Sequence, residues 1–199
     1  MRATTAREPA HTDMNSADPT ELLSAWRAGN RGALDTLYQL VYDDLRSRAH
    51  RLLQSQPSGM TLSTTALVHE SYLKLIRSEG LTVQDRAHFL ALAAHAMRLV
   101  LVSYARSHGA EKRGGGVRPL PLDEELLLSH ERAEQLLALD EALARLAQLN
   151  ERLSRTVELR FFGGLTVEET AEALGVVPST VKLDWQKARA WLYRELAES

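Results

Sequence analysis

The chain has 199 residues, 44% hydrophobic and 25% charged, which is typical of a soluble globular protein and excludes a chain disordered throughout. It contains no cysteine, which excludes disulfides, thiolate metal sites and cysteine nucleophiles and suits a reducing cytoplasm. No apolar run approaches the ~20 residues of a bilayer span. The first residues contain no apolar h-region, so we do not expect them to form a secretory signal. Because the net charge is only −2, binding to nucleic acid has to come from local basic patches.

The first half of the chain predicts a polar tail followed by four helices. Residues 1–17 lack periodicity and are predicted to be disordered. Apolar residues at helical spacing then predict one helix from Asp18, a second after the break at Gly29 to Gly32, a third over about 65–77 and a fourth that ends before Gly109. Because four helices can enclose one core, residues 18–108 are interpreted as an N-terminal domain.

Glycine and proline interrupt the helical pattern between residues 109 and 121, which read GAEKRGGGVRPLP. Residues 98–118 hold five basic side chains and one acidic one, whereas residues 123–141 hold seven acids and one arginine. We interpret residues 109–128 as a flexible, basic linker between two domains. A surface loop inside a single domain is the alternative.

Residues 129–199 predict a second domain made only of helices. Asn150 can cap one helix, Thr166 with Glu169 forms a capping box for the next, and Pro178 suits the first position of the last helix. No segment of the chain has a strand pattern. The predicted fold class is therefore all-α, with two small helical domains joined by the linker.

Residues 166–192 match a helix-turn-helix unit, with a short helix, a turn at Gly175 and a second helix. A helix of this kind enters a major groove with its first residues at base edges and its lysines near phosphates. A helical hairpin with a solvated charged face is the alternative. The face predicted to meet DNA comprises Ser179, Thr180, Lys182, Leu183, Gln186 and Lys187.

These motifs, together with VELRFFGGL at residues 157–165 and TALVHESYLKL at residues 65–75, resemble bacterial RNA polymerase sigma factors of the extracytoplasmic-function (ECF) type. The closest resemblance is to the subset that carries TALVHE, and it spans about residues 18–197. It implies a cytoplasmic subunit that binds core RNA polymerase through the β′ clamp helices and the β subunit. It also implies recognition of promoter DNA, with the −35 element read by the second domain.

The resemblance assigns roles to residues of the first domain. It implies that the third helix binds polymerase and that the fourth helix meets the −10 element. The residues implied for polymerase binding are Leu67, His69, Glu70, Tyr72 and Leu73, and those for −10 DNA are Phe89, Arg98 and Arg106. Relatives carry tryptophan, asparagine and aspartate where this chain has Leu92, Leu99 and Ser103, and arginine in place of Leu183.

A further departure lies at the start of the third helix. Relatives have an acidic cluster that pairs with basic residues of β′, but residues 61–66 read TLSTTA. One hypothesis is that a Ser/Thr kinase supplies the missing charge, since phosphate is favoured at a helix N-terminus. The alternative is that the hydroxyls only cap the helix. The candidate phosphorylation sites are Thr61, Ser63, Thr64 and Thr65.

No catalytic, cofactor or metal motif emerges. His69-Glu70 lacks the second histidine of a zinc protease, because position 73 is leucine, and Gly114 to Gly116 lack the lysine of a P-loop. We therefore expect no enzyme activity. Two other functions stay open, a free-standing helix-turn-helix regulator and a helical adaptor that binds only protein. The sequence identifies neither the promoter nor an anti-sigma partner.

Overall fold

A computed structural model describes residues 19–54, 63–77, 83–111 and 130–197. Within those ranges the chain forms α-helices and one turn of π-helix and has no strand, which confirms the predicted all-α class. The predicted tail and most of the predicted linker lie outside the described residues. The helices are α1 (Pro19–Arg27), α2 (Arg31–Gln54), α3 (Thr64–Ile76), α4 (Arg86–Glu111), α5 (His130–Leu149), α6 (Glu151–Val157), α7 (Val167–Leu174) and α8 (Pro178–Ala197), with the π turn at Glu158–Phe162.

Side-chain caps fix where the helices of the N-terminal half begin. The Ser63 hydroxyl accepts a hydrogen bond from the Ala66 amide at 3.1 Å, so α3 begins at Thr64. The Asp85 carboxylate accepts one from the His88 amide at 2.7 Å at the start of α4. At its other end α4 extends to Glu111, three residues past the predicted end of the N-terminal domain.

Three helix boundaries of the C-terminal half lie at residues that the sequence predicts. Asn150 accepts from the Leu153 amide at 3.2 Å and caps α6. Thr166 and Glu169 form both bonds of the predicted capping box. Gly175 ends α7 in the left-handed region, with φ 64°, which a glycine adopts without steric cost.

Helix α4 lies at the centre of the molecule. Its segment Arg86–Ser107 is long and apolar enough to cross a bilayer, but 67% of its most apolar window is buried inside the protein. It packs against α3 on one side and against α5, the π turn and α7 on the other. A helix this apolar is expected where other helices cover most of its surface.

The two halves of the chain consequently share one buried cluster. Residues of α2, α3 and α4 belong to it together with residues of α5, the π turn and α8. The closest approach is at Gly163, where an added Cβ would lie 2.6 Å from the Cβ of Ala94. Only glycine therefore fits against α4 at this position.

Candidate nucleic-acid interface

Helix α8 has one buried side and one exposed side. Val181, Ala188 and Leu192 pack into the molecule. The opposite side carries most of the predicted −35 contacts. Ser179, Lys182, Leu183, Gln186 and Lys187 are exposed, and Thr180 is half-buried. This face is open to a duplex, and Leu183 is a large apolar side chain at its centre, 49% exposed.

Two side chains of α6 and the π turn hold α8 in place, and sequence reasoning did not identify either. Asp184 points inward, 2% exposed, and accepts from Arg152 Nε at 2.6 Å. A hydrogen bond from Arg152 to Asp184 raises the pKa of the Arg152 guanidinium above its ordinary value. The guanidinium of Arg160 lies 4.9 Å from the centroid of the Trp185 ring. Asp184 is an acidic residue in an otherwise basic helix, and a buried carboxylate needs a partner. That pattern was the sequence signal for a contact such as the one with Arg152.

The predicted −10 residues on α4 lie in three different environments. Phe89 is 1% exposed, so its side chain packs in the core and does not reach the surface in this conformation. Arg98 is 13% exposed and contacts Glu158 at 2.6 Å and Asp140 at 2.8 Å. Arg106 is 67% exposed and lies 3.3 Å from Asp140. Both arginines are thus paired with carboxylates of the C-terminal half.

The predicted polymerase-binding residues of α3 also differ in their exposure to solvent. Leu67 is fully buried, so it supports the helix from inside rather than forming its surface. His69 is exposed, and Glu70, Tyr72 and Leu73 are half-buried. Glu70 and Leu73 line a cleft between α3 and α4. These four side chains reach the surface, whereas Leu67 does not.

An aromatic cluster between α2 and α3 gives this surface its shape. The Tyr72 ring stacks on Tyr38 with centroids 4.0 Å apart, and Tyr42 meets Tyr38 edge-on at 5.6 Å. The Tyr72 hydroxyl donates to Asp35. Burial, aided by the nearby Tyr42, raises the pKa of Tyr38 to about 12. Tyr38, Tyr42 and Asp35 are therefore neighbours of the predicted set that the sequence pattern did not single out.

The hydroxyls at the start of α3 differ in accessibility. Ser63 and Thr65 are exposed, Thr64 is half-buried with its hydroxyl 3.5 Å from His50 Nδ1, and Thr61 lies outside the described residues. The first turn of α3 contains no acidic residue. The described part of the chain contains no group of three or more side chains that could hold a metal ion.

An apolar groove of about 740 Å³ runs along α8. It is lined by residues of α5, the π turn and α8, including Leu139, Phe161, Trp185, Tyr193 and Leu196. Tyr193 is 80% exposed there.

The chain matches the family described as ECF sigma factor over residues 16–198. It is a member of the ECF sigma factor family. Searches of curated proteins and of solved structures returned no match. ECF sigma factors are non-enzymatic transcription factors that act in transcription initiation by binding core RNA polymerase and promoter DNA. The exposed face of α8 and the paired arginines of α4 thus belong to a protein that meets DNA.

Proposed function

We propose that this sigma factor binds promoters through two separate surfaces. Residues 18–108 would bind the β′ clamp helices and the −10 element, and residues 129–199 would read the −35 element. The observation that carries the proposal is the exposed polar face of α8 within a chain that matches the family over residues 16–198. Ser179, Thr180 and Gln186 are assigned to base edges, and Lys182 and Lys187 to phosphates.

Contacts with polymerase are assigned to α3 and to the C-terminal groove. His69, Glu70, Tyr72 and Leu73 reach the surface of α3 and would meet the β′ clamp helices. The apolar groove lined by Tyr193 and Leu196 supports a contact with the β subunit, because both large apolar side chains are exposed there. Because core polymerase and promoter DNA are in the bacterial cytoplasm, the protein would act there.

The test is transcription by purified core polymerase on random promoter fragments with and without the protein. We expect promoter-dependent transcripts only when the protein is present. A version with Ser179, Thr180, Lys182, Gln186 and Lys187 replaced by alanine should bind core polymerase normally but lose promoter choice. Duplex binding without polymerase, and no effect on transcription, would instead identify a free-standing regulator.

We further propose that a Ser/Thr kinase activates polymerase binding by modifying the start of α3. A phosphate there would supply about −1.5 to −2 charges and accept ~1–3 charge-assisted hydrogen bonds from basic residues of β′. Ser63 and Thr65 are exposed, and the first turn of α3 has no acid, so the charge is both accessible and missing. Thr61 and Thr64 are the other candidate sites.

The kinase proposal is tested by measuring core-polymerase affinity for unmodified protein, kinase-treated protein and alanine variants at each hydroxyl. One hydrogen bond to a charged group, worth ~1.5–3 kcal/mol, implies about tenfold tighter binding or more. Ser63→Ala also removes the cap of α3, so Ser63→Asn, which can still cap, serves as its control. Equal affinity before and after kinase treatment would show that the hydroxyls are only caps.

A further inference from the structure

The basic side chains of α4 that would follow DNA already have anionic partners within the chain. Arg98 contacts the carboxylates of Glu158 and Asp140, and its Nη2 donates to the Asp140 carbonyl at 3.3 Å. Arg106 contacts the same Asp140. His95, one turn before Arg98, lies 3.1 Å from Glu158. Every one of these acids belongs to the C-terminal half.

A second contact closes the same interface at the other end. Arg48 of α2 is only 6% exposed, and its guanidinium donates to both oxygens of Glu169, at 2.7 and 3.0 Å, and to the Gly164 carbonyl at 3.0 Å. Arg86 lies 3.7 Å from Glu169. Because Glu169 also completes the capping box of α7, the contact is made by a residue that is already fixed in position.

Between these two ends the interface is apolar and closely packed. Gly163 lies against Ala94 with no room for a side chain, and α4 is buried on the side that faces α5. The C-terminal half thus covers α4 with both charges and apolar surface, while the predicted DNA face of α8 stays exposed.

We propose that this arrangement is a closed, self-inhibited state in which Asp140 and Glu158 take the place of DNA phosphates against α4, while Glu169 holds α2 through Arg48. This inference rests on the proposed function, because it assigns Arg98 and Arg106 to the −10 element. Promoter phosphates and the carboxylates of Asp140 and Glu158 compete for the same guanidinium groups, so the −10 element binds only after the halves separate. The −35 face requires no such opening.

The test measures the separation of the halves directly. The chain has no native cysteine, so Gln39→Cys on α2 and Gln148→Cys on α5, both exposed, give two spin labels in the full chain. The opening variant is Asp140→Asn, Glu158→Gln and Glu169→Gln. The matched control, Glu141→Gln, Glu172→Gln and Glu195→Gln, changes the net charge equally; Glu195 pairs with Arg145 inside the C-terminal half.

We expect one short distance for the native chain and the control, and a longer, broader distribution for the opening variant. Transcription at limiting protein should rise by about tenfold as the open population grows. Unchanged distances in the opening variant would overturn the proposal, and so would opening without any gain in transcription. If the triple change lowers helix content, Asp140→Asn alone is measured instead, since it removes one partner of Arg98 and keeps Glu158.

The proposed function is tested by a separate measurement on the same samples. Association of the native chain with core polymerase tests the sigma role without reference to label distances. A native chain that fails to bind polymerase would count against the proposed function, whereas the distances decide whether the closed state exists.

Discussion

Helices α4 and α8 are both assigned to DNA, yet the structure pairs the arginines of α4 with carboxylates and leaves Lys182 and Lys187 of α8 exposed. On α8, Lys182 and Lys187 are exposed to solvent, whereas on α4 Arg98 is 13% exposed and held by two carboxylates. A basic residue on a helix that is assigned to DNA is therefore not sufficient for contact with DNA. Its availability depends on which acids the rest of the fold brings to it.

We expect the largest loss of stability from replacing Arg98, whose ion pairs are more buried than the pair of Arg106. Arg98→Ala leaves Glu158 and Asp140 half-buried without their main partner, which should lower the free energy of unfolding by roughly 3 kcal/mol. Arg106→Ala removes an exposed contact to the same Asp140 and should cost less than about 1 kcal/mol. Urea denaturation of both variants measures the difference. Equal losses would mean that burial does not set the strength of these pairs.

One added methyl group should disrupt the apolar packing between α4 and the C-terminal half. Gly163→Ala places a Cβ 2.6 Å from that of Ala94, so overpacking should cost ~1–3 kcal/mol of stability. Gly32 of α2 is the control, since a Cβ there meets only Asn30 Oδ1, at 3.4 Å. Gly32→Ala should stabilise the protein by up to about 1 kcal/mol. Thermal unfolding that moves in the same direction for both would contradict the close contact with α4.

The open face is tested by salt. Lys182→Gln with Lys187→Gln removes two phosphate contacts, so the slope of log affinity against log salt for holoenzyme on a promoter should fall by about 2. Arg145→Gln is the control, because Arg145 pairs with Glu195 within the C-terminal half. An unchanged slope would remove both lysines from the DNA interface.

The smallest expected effect is a pH dependence of the covered face. Burial acts to raise the pKa of Glu158, but hydrogen bonds and charge from His95 and Arg98 outweigh it, so the pKa lies below its usual value. A carboxyl whose pKa is lowered by folding stabilises the fold above its unfolded pKa of about 4.3 and loses that contribution as pH falls through the folded pKa. The difference in unfolding free energy between the native chain and Glu158→Gln should therefore shrink below about pH 4.3. A difference that stays constant from pH 7 to pH 3 would contradict this.

Local signals in the sequence predicted most of the secondary structure. The capping box of Thr166 and Glu169, the cap at Asn150 and the glycine at 175 each act within one turn of chain, so their geometry follows from residues a few positions apart. The sequence also predicted the exposed polar side of α8, because its apolar residues recur at helical spacing. The division into two domains, which depends on the linker, stays a prediction.

Tertiary structure alone decided which predicted contacts reach the surface. By sequence, Leu67 and Phe89 are apolar residues beside polar ones; their burial depends on helices that are distant along the chain. The pairs that join Arg98 to Glu158 and Arg48 to Glu169 link residues 60 and 121 positions apart. Helical periodicity reports which face of a helix is apolar, but not which helix covers that face. The amino-acid sequence thus determined helices, caps and the polar face of α8, whereas packing of the two halves decided that α4 is covered.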